Sequence, residues 1–285
     1  MSTNGNPSAM RPYLGRLAGI KELGTDIRLF QIELQEPAGK AAFANYRPGQ
    51  FGFVSAFGAG EAPFGITSIP AQGELLEFAI HRHPYGKTTN GLHSLDVGDL
   101  LGVRGPLGNW FPMDEIKGKN IIVLGGGIGG APLRPVISTI IHNRDDYGNL
   151  TILWAARNPD LLIFTNEYNQ WRAAPRTQLH LTVDQRPDWW REGNEGLITT
   201  LLEAVNPKPA NTITITCGPP IMIHFAALTL RKLGFTLDQM LVTLEGRMHC
   251  GIGKCGRCNL GDIFVCADGP VFYHSQVAEL LESFL

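Results

Sequence analysis

The order of apolar and polar positions divides the chain into three stretches. From residue 11 to about residue 113, apolar residues fall in short runs rich in β-branched and aromatic side chains: IRLFQIEL (27–34), GQFGFVSAF (49–57), LLEFAIHRH (75–83) and LLGVRGPLG (100–108). Turn signals separate them at Glu36-Pro37, Arg47-Pro48-Gly49, Val97-Gly98-Asp99 and Gly105-Pro106. Short strands at that spacing predict a β-sandwich or barrel. At residue 118 the pattern changes. Asn120–Leu124 (NIIVL) is continuously apolar, as in a parallel strand covered on both faces. A glycine loop (125–130) follows, then a helix over roughly 131–143, a strand at 150–156 and a helical stretch around 161–173. A strand at 180–183, a helix at 197–204, a strand at 212–217 and a helix at 221–233 complete the alternation, which predicts a doubly wound α/β domain. The expected organisation is a β-barrel domain over 11–115, an α/β domain over 116–245 and a short cysteine-bearing tail over 246–285, with residues 1–10 as a loose N-terminal tail.

Charge and composition narrow the classes. Lys plus Arg number 24 against 26 Asp plus Glu, a net charge of −2 with no polybasic cluster, so no nucleic-acid partner is expected. No apolar run approaches the roughly 18–20 residues that cross a bilayer, so no membrane insertion is expected. The N-terminal MSTNGNPSAMRP lacks the apolar core of a signal peptide. With cysteine scarce as well, a cytoplasmic setting is expected, where disulfides are rare.

The tail holds four of the five cysteines, Cys250, Cys255, Cys258 and Cys266, in MHCGIGKCGRCNLGDIFVC, a C-x4-C-x2-C-x7-C spacing. Four thiolates complete the ligand set of a [2Fe–2S] cluster, and the first three follow plant-type ferredoxin spacing. Gly251, Gly253 and Gly256 fall between them, where a chain folding tightly around iron needs residues without a Cβ and aims backbone N–H groups at sulfur. Zinc is the alternative metal, although structural zinc sites usually pair their ligands as two separated short knuckles.

Gly125, Gly127 and Gly130 satisfy G-x-G-x-x-G between a strand and a helix, the context in which backbone N–H groups at a helix start meet a pyrophosphate. No acid stands at the end of the second strand to take a ribose. Asp145 and Asp146 precede that strand, and Arg157-Asn158 follow it, so NADH and NADPH both stay open. Cys217-Gly218-Pro219-Pro220 ends a further strand, on the side where open α/β sheets bind ligands.

These motifs together resemble the ferredoxin–NADP reductase superfamily over about residues 11–285. Arg47-Pro48-Gly49-Gln50-Phe51 is similar to its R-P-G-Q-F strand entry, Gly125–Arg134 to its GGGxGxAPL loop, and Cys217–Met222 to its C-G-P-P-x-M. RMHCGIGKCGRC (247–258) and VCADGPVF (265–272) look most like the gamma (diaphorase) subunits of cytoplasmic NiFe hydrogenases and sulfhydrogenases. The dihydroorotate dehydrogenase electron-transfer subunit and an anaerobic sulfite reductase subunit are related. The resemblance implies FAD on the barrel, NAD(P)H on the α/β domain and one [2Fe–2S] cluster on the tail.

It also implies particular residues. Pro63, Phe64, Thr67 and Ser68, with the phosphate loop Gly86, Lys87, Thr88 and Thr89, would hold FAD. Gly125, Gly126, Gly127, Ile128 and Gly129, with Gly218, Pro219 and Pro220, would hold NAD(P)H, and Cys217 would stand beside the hydride path. One departure stands out. The R-P-F/Y-S/T flavin motif reads Ala62-Pro63-Phe64-Gly65, without the arginine or the hydroxyl, and Thr67 and Ser68 offer hydroxyls slightly downstream. Gly105-Pro106-Leu107-Gly108-Asn109 is similar to the family's G-P-x-G-N turn and is expected to close the barrel. His249 is expected to be a surface residue. Such a subunit implies a partner redox subunit for the terminal chemistry; a self-contained reductase serving a diffusible acceptor is the competing class.

Overall fold

In the computed structural model, residues 7–282 are described, and they form two compact units. The first contains residues up to Glu22, Asp26–Trp110 and Glu245–Pro270; the second contains Leu23–Thr25, Phe111–Leu244 and the chain from Val271 onward.

The first unit is built on β1 (Tyr13–Gly24), β2 (Ile27–Leu34), β3 (Phe51–Ala56), β4 (Gly60–Gly65), β5 (Leu76–His81) and β6 (Leu100–Leu107), with α1 (Pro37–Ala42) and α2 (Lys87–His93) between strands. Their order is β4-β3-β6-β1-β2-β5. The two ends of that order meet just past β4, where the Thr67 N–H donates to the Glu77 carbonyl at 2.8 Å and the Glu77 N–H donates to Ser68 Oγ at 3.1 Å. The sheet thereby curls into a barrel around Leu17, Phe30, Ile32, Val54, Phe78, Ile80 and Val103. Two strands escape the apolar pattern. β1 (YLGRLAGIKELG) buries only Gly15 and Leu17, and β4 (GEAPFG) buries no residue and carries Pro63, which an edge strand tolerates.

The second unit contains β7 (Asn120–Gly126), a 3-10 turn (Gly127–Leu133), α3 (Arg134–His142), β8 (Leu150–Ala156), α4 (Tyr168–Ala173), β9 (Thr177–Val183), β10 (Asn194–Glu195), α5 (Ile198–Val205), β11 (Thr212–Cys217), α6 (Pro220–Lys232) and β12 (Met240–Thr243). The cysteine segment contributes a small hairpin, β13 (Asn259–Leu260) and β14 (Ile263–Phe264), to the first unit; β15 (Val271–Tyr273) and α7 (His274–Glu282) belong to the second. The α/β sheet runs β10-β9-β8-β7-β11-β12-β15 and is parallel up to β15, which pairs antiparallel with β12. Six of the seven residues of β7 are buried, as a strand covered on both faces requires.

Two helices differ from the sequence reading. The helix drawn over 131–143 begins at Arg134, because Pro132 supplies no N–H and the glycine-rich stretch before it winds as a 3-10 turn. The helical stretch at 161–173 shrinks to Tyr168–Ala173. Leu162, Ile163 and Phe164 are all buried, and three consecutive inward residues do not fit one helix face. Of the three segments read from the sequence, the tail is shared: Glu245–Pro270 groups with the barrel, and Val271 onward with the α/β sheet.

Candidate functional site

In the second unit, β7 and β11 are neighbours although about ninety residues lie between them; Leu124 stands opposite Thr216 and Gly125 opposite Cys217. The strand order β9-β8-β7-β11-β12 reverses its direction of travel at this pair. That is the topological switch point, beyond whose carboxyl ends doubly wound sheets take their ligands. The glycine loop and the Cys217–Pro220 turn, far apart in sequence, converge there. A Cβ on Gly129 would lie 2.5 Å from the Gly218 Cα. Gly126 abuts the Met222 sulfur, and Gly130 lies against the Trp154 ring. Cys217 is buried, while Pro219 and Pro220 are exposed at the start of α6.

The loop is braced from behind. Arg134 donates to both oxygens of Glu167 (2.8 and 3.0 Å from Nε) and lies 5.0 Å from the Phe164 ring. Past β8, Arg157 is exposed, and Asn158 carries a buried Oδ1 with no hydrogen-bond partner. A buried acceptor of that kind beside the strand ends suits a nucleotide's hydroxyl donors, so the residues present fit a dinucleotide. Asp145 and Asp146 are occupied elsewhere, in ion pairs with Arg176 (3.3 Å) and Lys117 (3.1 Å).

In the first unit, Gly86 precedes α2, and Lys87, Thr88 and Thr89 form its first turn. The first turn of a helix has N–H groups with no intrahelical acceptor, and Lys87 adds an exposed ammonium, so this end fits a pyrophosphate. The two threonine hydroxyls are used internally: Thr88 Oγ1 donates to the Ala59 carbonyl (3.3 Å) and Thr89 Oγ1 to the Gly86 carbonyl (3.1 Å). Pro63 and Phe64 are partly exposed on β4. Thr67 and Ser68 are buried, and Ser68 Oγ is engaged by Tyr46 Oη (2.7 Å) and the Glu77 N–H. Their place in the structure is the barrel seam.

The four tail cysteines also lie in the first unit. Gly251, Gly253 and Gly256 adopt φ of +74°, +70° and +74°, the left-handed region that favours glycine, and the loop winds tightly as a result. The Ile252, Lys254 and Cys255 N–H groups donate to Cys250 Sγ (3.5, 3.2 and 3.3 Å), and the Gly253 N–H donates to Cys266 Sγ (3.1 Å). Burial pushes the Cys250 thiol up, but those three N–H groups outweigh it and bring it down to about 7. Burial, with the adjoining Cys258 thiol, pushes Cys266 up to about 12.

The thiols adjoin one another: Cys250 meets Cys255, and Cys266 meets Cys258 and lies within electrostatic reach of Cys250. Four neighbouring cysteines with N–H groups aimed at sulfur fit a two-iron cluster. Cys250, Cys258 and Cys266 are buried and Cys255 is exposed. His249 is exposed as well.

The loop is fastened to the barrel by residues that the motifs did not single out. Arg104, on β6 and 1% exposed, donates to the Cys250 carbonyl at 2.7 Å and to Glu61 at 2.6 and 3.3 Å. Asn109 reaches the same segment, its N–H donating to the Gly269 carbonyl (2.7 Å) and its amide to the Asp268 carbonyl (2.9 Å). The only hint of Arg104 in the sequence is a lone cation inside the apolar run LLGVRGPLG.

Comparison with known proteins agrees with each part. The oxidoreductase FAD-binding domain matches residues 15–111, the oxidoreductase NAD-binding domain residues 123–227, and the iron–sulfur cluster binding domain of dihydroorotate dehydrogenase B residues 245–278. Fold and site therefore define a FAD- and NAD(P)H-dependent oxidoreductase with an iron–sulfur module. Over 284 residues the chain is 34% identical to the sulfhydrogenase 1 gamma subunit of Pyrococcus furiosus, covering 97% of this chain and 95% of that one. The sulfhydrogenase 2 gamma subunit of the same organism is 30% identical over 277 residues (92% and 94%). A probable dihydroorotate dehydrogenase B (NAD(+)) electron transfer subunit of Methanocaldococcus jannaschii is 28% identical over 275 residues (95% and 93%). The chain belongs to this family of electron-transfer subunits. Among solved structures, an NADH-dependent reduced ferredoxin-NADP oxidoreductase superposes with a TM-score of 0.74 at 25% identity, covering 98% of this chain and 94% of that one. The cytochrome b5 reductase domain of Ulva prolifera nitrate reductase shares the fold (TM-score 0.66, 20% identity, 83% and 97% covered).

Proposed function

We propose that this chain is the diaphorase subunit of a cytoplasmic complex of the NiFe hydrogenase or sulfhydrogenase type, moving electrons between NAD(P)H and a catalytic partner subunit. The observation that carries the reading is the group of four tail cysteines in the same unit as the flavin-type barrel, with one of them, Cys255, left exposed. When bound, nicotinamide, flavin and cluster together convert a two-electron exchange into single-electron transfers. The chain's own residues bind and orient. The loop from Gly125 to Gly129, with Gly218, Pro219 and Pro220, holds the nucleotide, and buried Cys217 marks the end of β11 where the nicotinamide is received. Lys87 and the start of α2, with Pro63 and Phe64, hold FAD. Cys255 is the edge that the partner approaches.

No helix among the described residues is long and apolar enough to cross a membrane. Relatives named as gamma subunits match along nearly the whole chain, which supports a place in a multi-subunit complex. The match of residues 245–278 to the dihydroorotate dehydrogenase B module favours a second reading, in which the partner is a dihydroorotate dehydrogenase.

Anaerobic purification of the tagged chain from its native cells decides between them. A co-purifying subunit that contains nickel and reduces NAD(P) with hydrogen supports the first reading, and dihydroorotate-dependent reduction supports the second. A monomer with zinc and no flavin sinks both. Within the purified complex, Cys258→Ser is expected to leave bleaching of the flavin by NAD(P)H intact and to abolish electron transfer to the partner. Equal loss of both activities contradicts the relay.

A further inference from the structure

We propose that Arg104 and Glu61 form a charge pair that sets the reduction potential of the cluster. The inference rests on the reading of Cys250, Cys255, Cys258 and Cys266 as [2Fe–2S] ligands. Every N–H group of the guanidinium is used. Nε and one terminal nitrogen form a fork on Glu61 (3.3 and 2.6 Å), and that terminal nitrogen also reaches the His249 carbonyl at 3.4 Å. The other terminal nitrogen donates to the Cys250 carbonyl at 2.7 Å and the Ala9 carbonyl at 3.4 Å. The cation lies 4.1 Å from the centre of the Phe53 ring, and a Cβ on Gly251 would lie 2.7 Å from the same ring. The first ligand cysteine and its two neighbours are therefore moulded around Arg104.

The asymmetry of the pair gives it an electrostatic consequence. The Arg104 side chain is 2% exposed and that of Glu61 is 31% exposed, so water screens the anion far more than the cation. A poorly screened positive charge hydrogen-bonded to a ligand's own peptide favours the more negative, reduced cluster. Net charge and hydrogen bonding around the cluster are the levers by which a protein sets this potential. A latch serving packing alone needs no cation at this place, since an apolar side chain would fill the barrel wall against Phe53 without the loss of a charge's hydration. Arg104 is a positioning residue whose charge has a second effect.

The two partners predict shifts of opposite sign. In the complete chain loaded with cluster, an EPR-monitored redox titration of Arg104→Gln is expected to give a lower potential than the unaltered protein, and Glu61→Gln a higher one. Arg104→Lys, which keeps the charge but cannot fork, is expected to stay near the original potential while iron per chain falls. A tenfold change in the electron-exchange equilibrium corresponds to about 59 mV for a one-electron couple, and a displacement of that order is expected for Arg104→Gln. Iron and sulfide per chain are measured on every variant, and potentials are read from the loaded fraction. Should Arg104→Gln fail to fold, Glu61→Gln alone decides, because an unmoved or lowered potential overturns the proposal. Iron loss with unmoved potentials in the loaded fraction of all three variants also overturns it and leaves a purely structural latch. An unaltered protein that holds no iron–sulfur cluster overturns the site reading itself, a distinct result.

Discussion

Gly129 illustrates how single residues decide the nucleotide end. A methyl group there would meet the Gly218 backbone at 2.5 Å, and backbone cannot rotate aside as a flexible side chain can. Gly129→Ala is expected to push the glycine loop off the Cys217–Pro220 turn. The expected destabilisation is about 1–3 kcal/mol, the usual effect of forcing extra volume into a packed site. Denaturant unfolding measures that loss, and the NAD(P)H concentration needed for half-maximal bleaching of the flavin should rise. A variant unchanged in both would show that the loop has slack. Thr67 and Ser68 show what two adjacent letters leave open: both are buried at the barrel seam, where Ser68 Oγ accepts the Glu77 N–H.

Among the elements, the tail shows where local pattern stops being informative. Its cysteine loop and its last strand and helix are contiguous in sequence but join different units. β15 covers the edge of β12, with Val271 opposite Thr243, and α7 buries Val277 and Leu281. Truncation after Pro270 is therefore expected to expose the β12 edge and lower the melting temperature of the α/β unit. Iron per chain should be retained, because the four cysteines, Arg104 and Asn109 all lie within the other unit. Circular dichroism melts and iron analysis of the truncated chain test this; loss of iron with an unchanged melt would reverse the assignment.

For the molecule as a whole, one half-buried histidine in each unit is expected to make stability fall on the acid side. Burial lowers the pKa of His93, whose Nε2 is 3.0 Å from the Ile80 carbonyl. Arg28 and Arg82 lower it further, against opposing effects from the Ile80 hydrogen bond and Glu22. Burial also lowers His180. A histidine whose folded pKa lies below its ordinary 6.5 takes up its proton more readily when the chain is unfolded. Its contribution to stability is complete above that pH and declines as pH falls from 6.5 through the folded pKa. Thermal melts between about pH 5 and 7.5 should show this decline, and the double variant His93→Gln, His180→Gln should flatten it. An unchanged slope in the double variant would place the acid sensitivity in other groups.

The amino-acid sequence by itself determined whatever depends on near neighbours. The cysteine spacing, the glycines between the thiols, the strand–glycine–helix loop and the change from short β runs to alternating strands and helices were all legible, because each is set by steric and hydrogen-bonding rules acting within a few residues. The tertiary structure decided what depends on distant partners. Arg104 and Cys250 are 146 positions apart, and nothing in LLGVRGPLG announces that its arginine will hold a metal-ligand loop. The meeting of Gly125 with Cys217, the burial of Ser68 and the division of the tail likewise arise from packing and register. Those long-range contacts form only when the sheets curl and stack, so no local stretch of sequence encodes them.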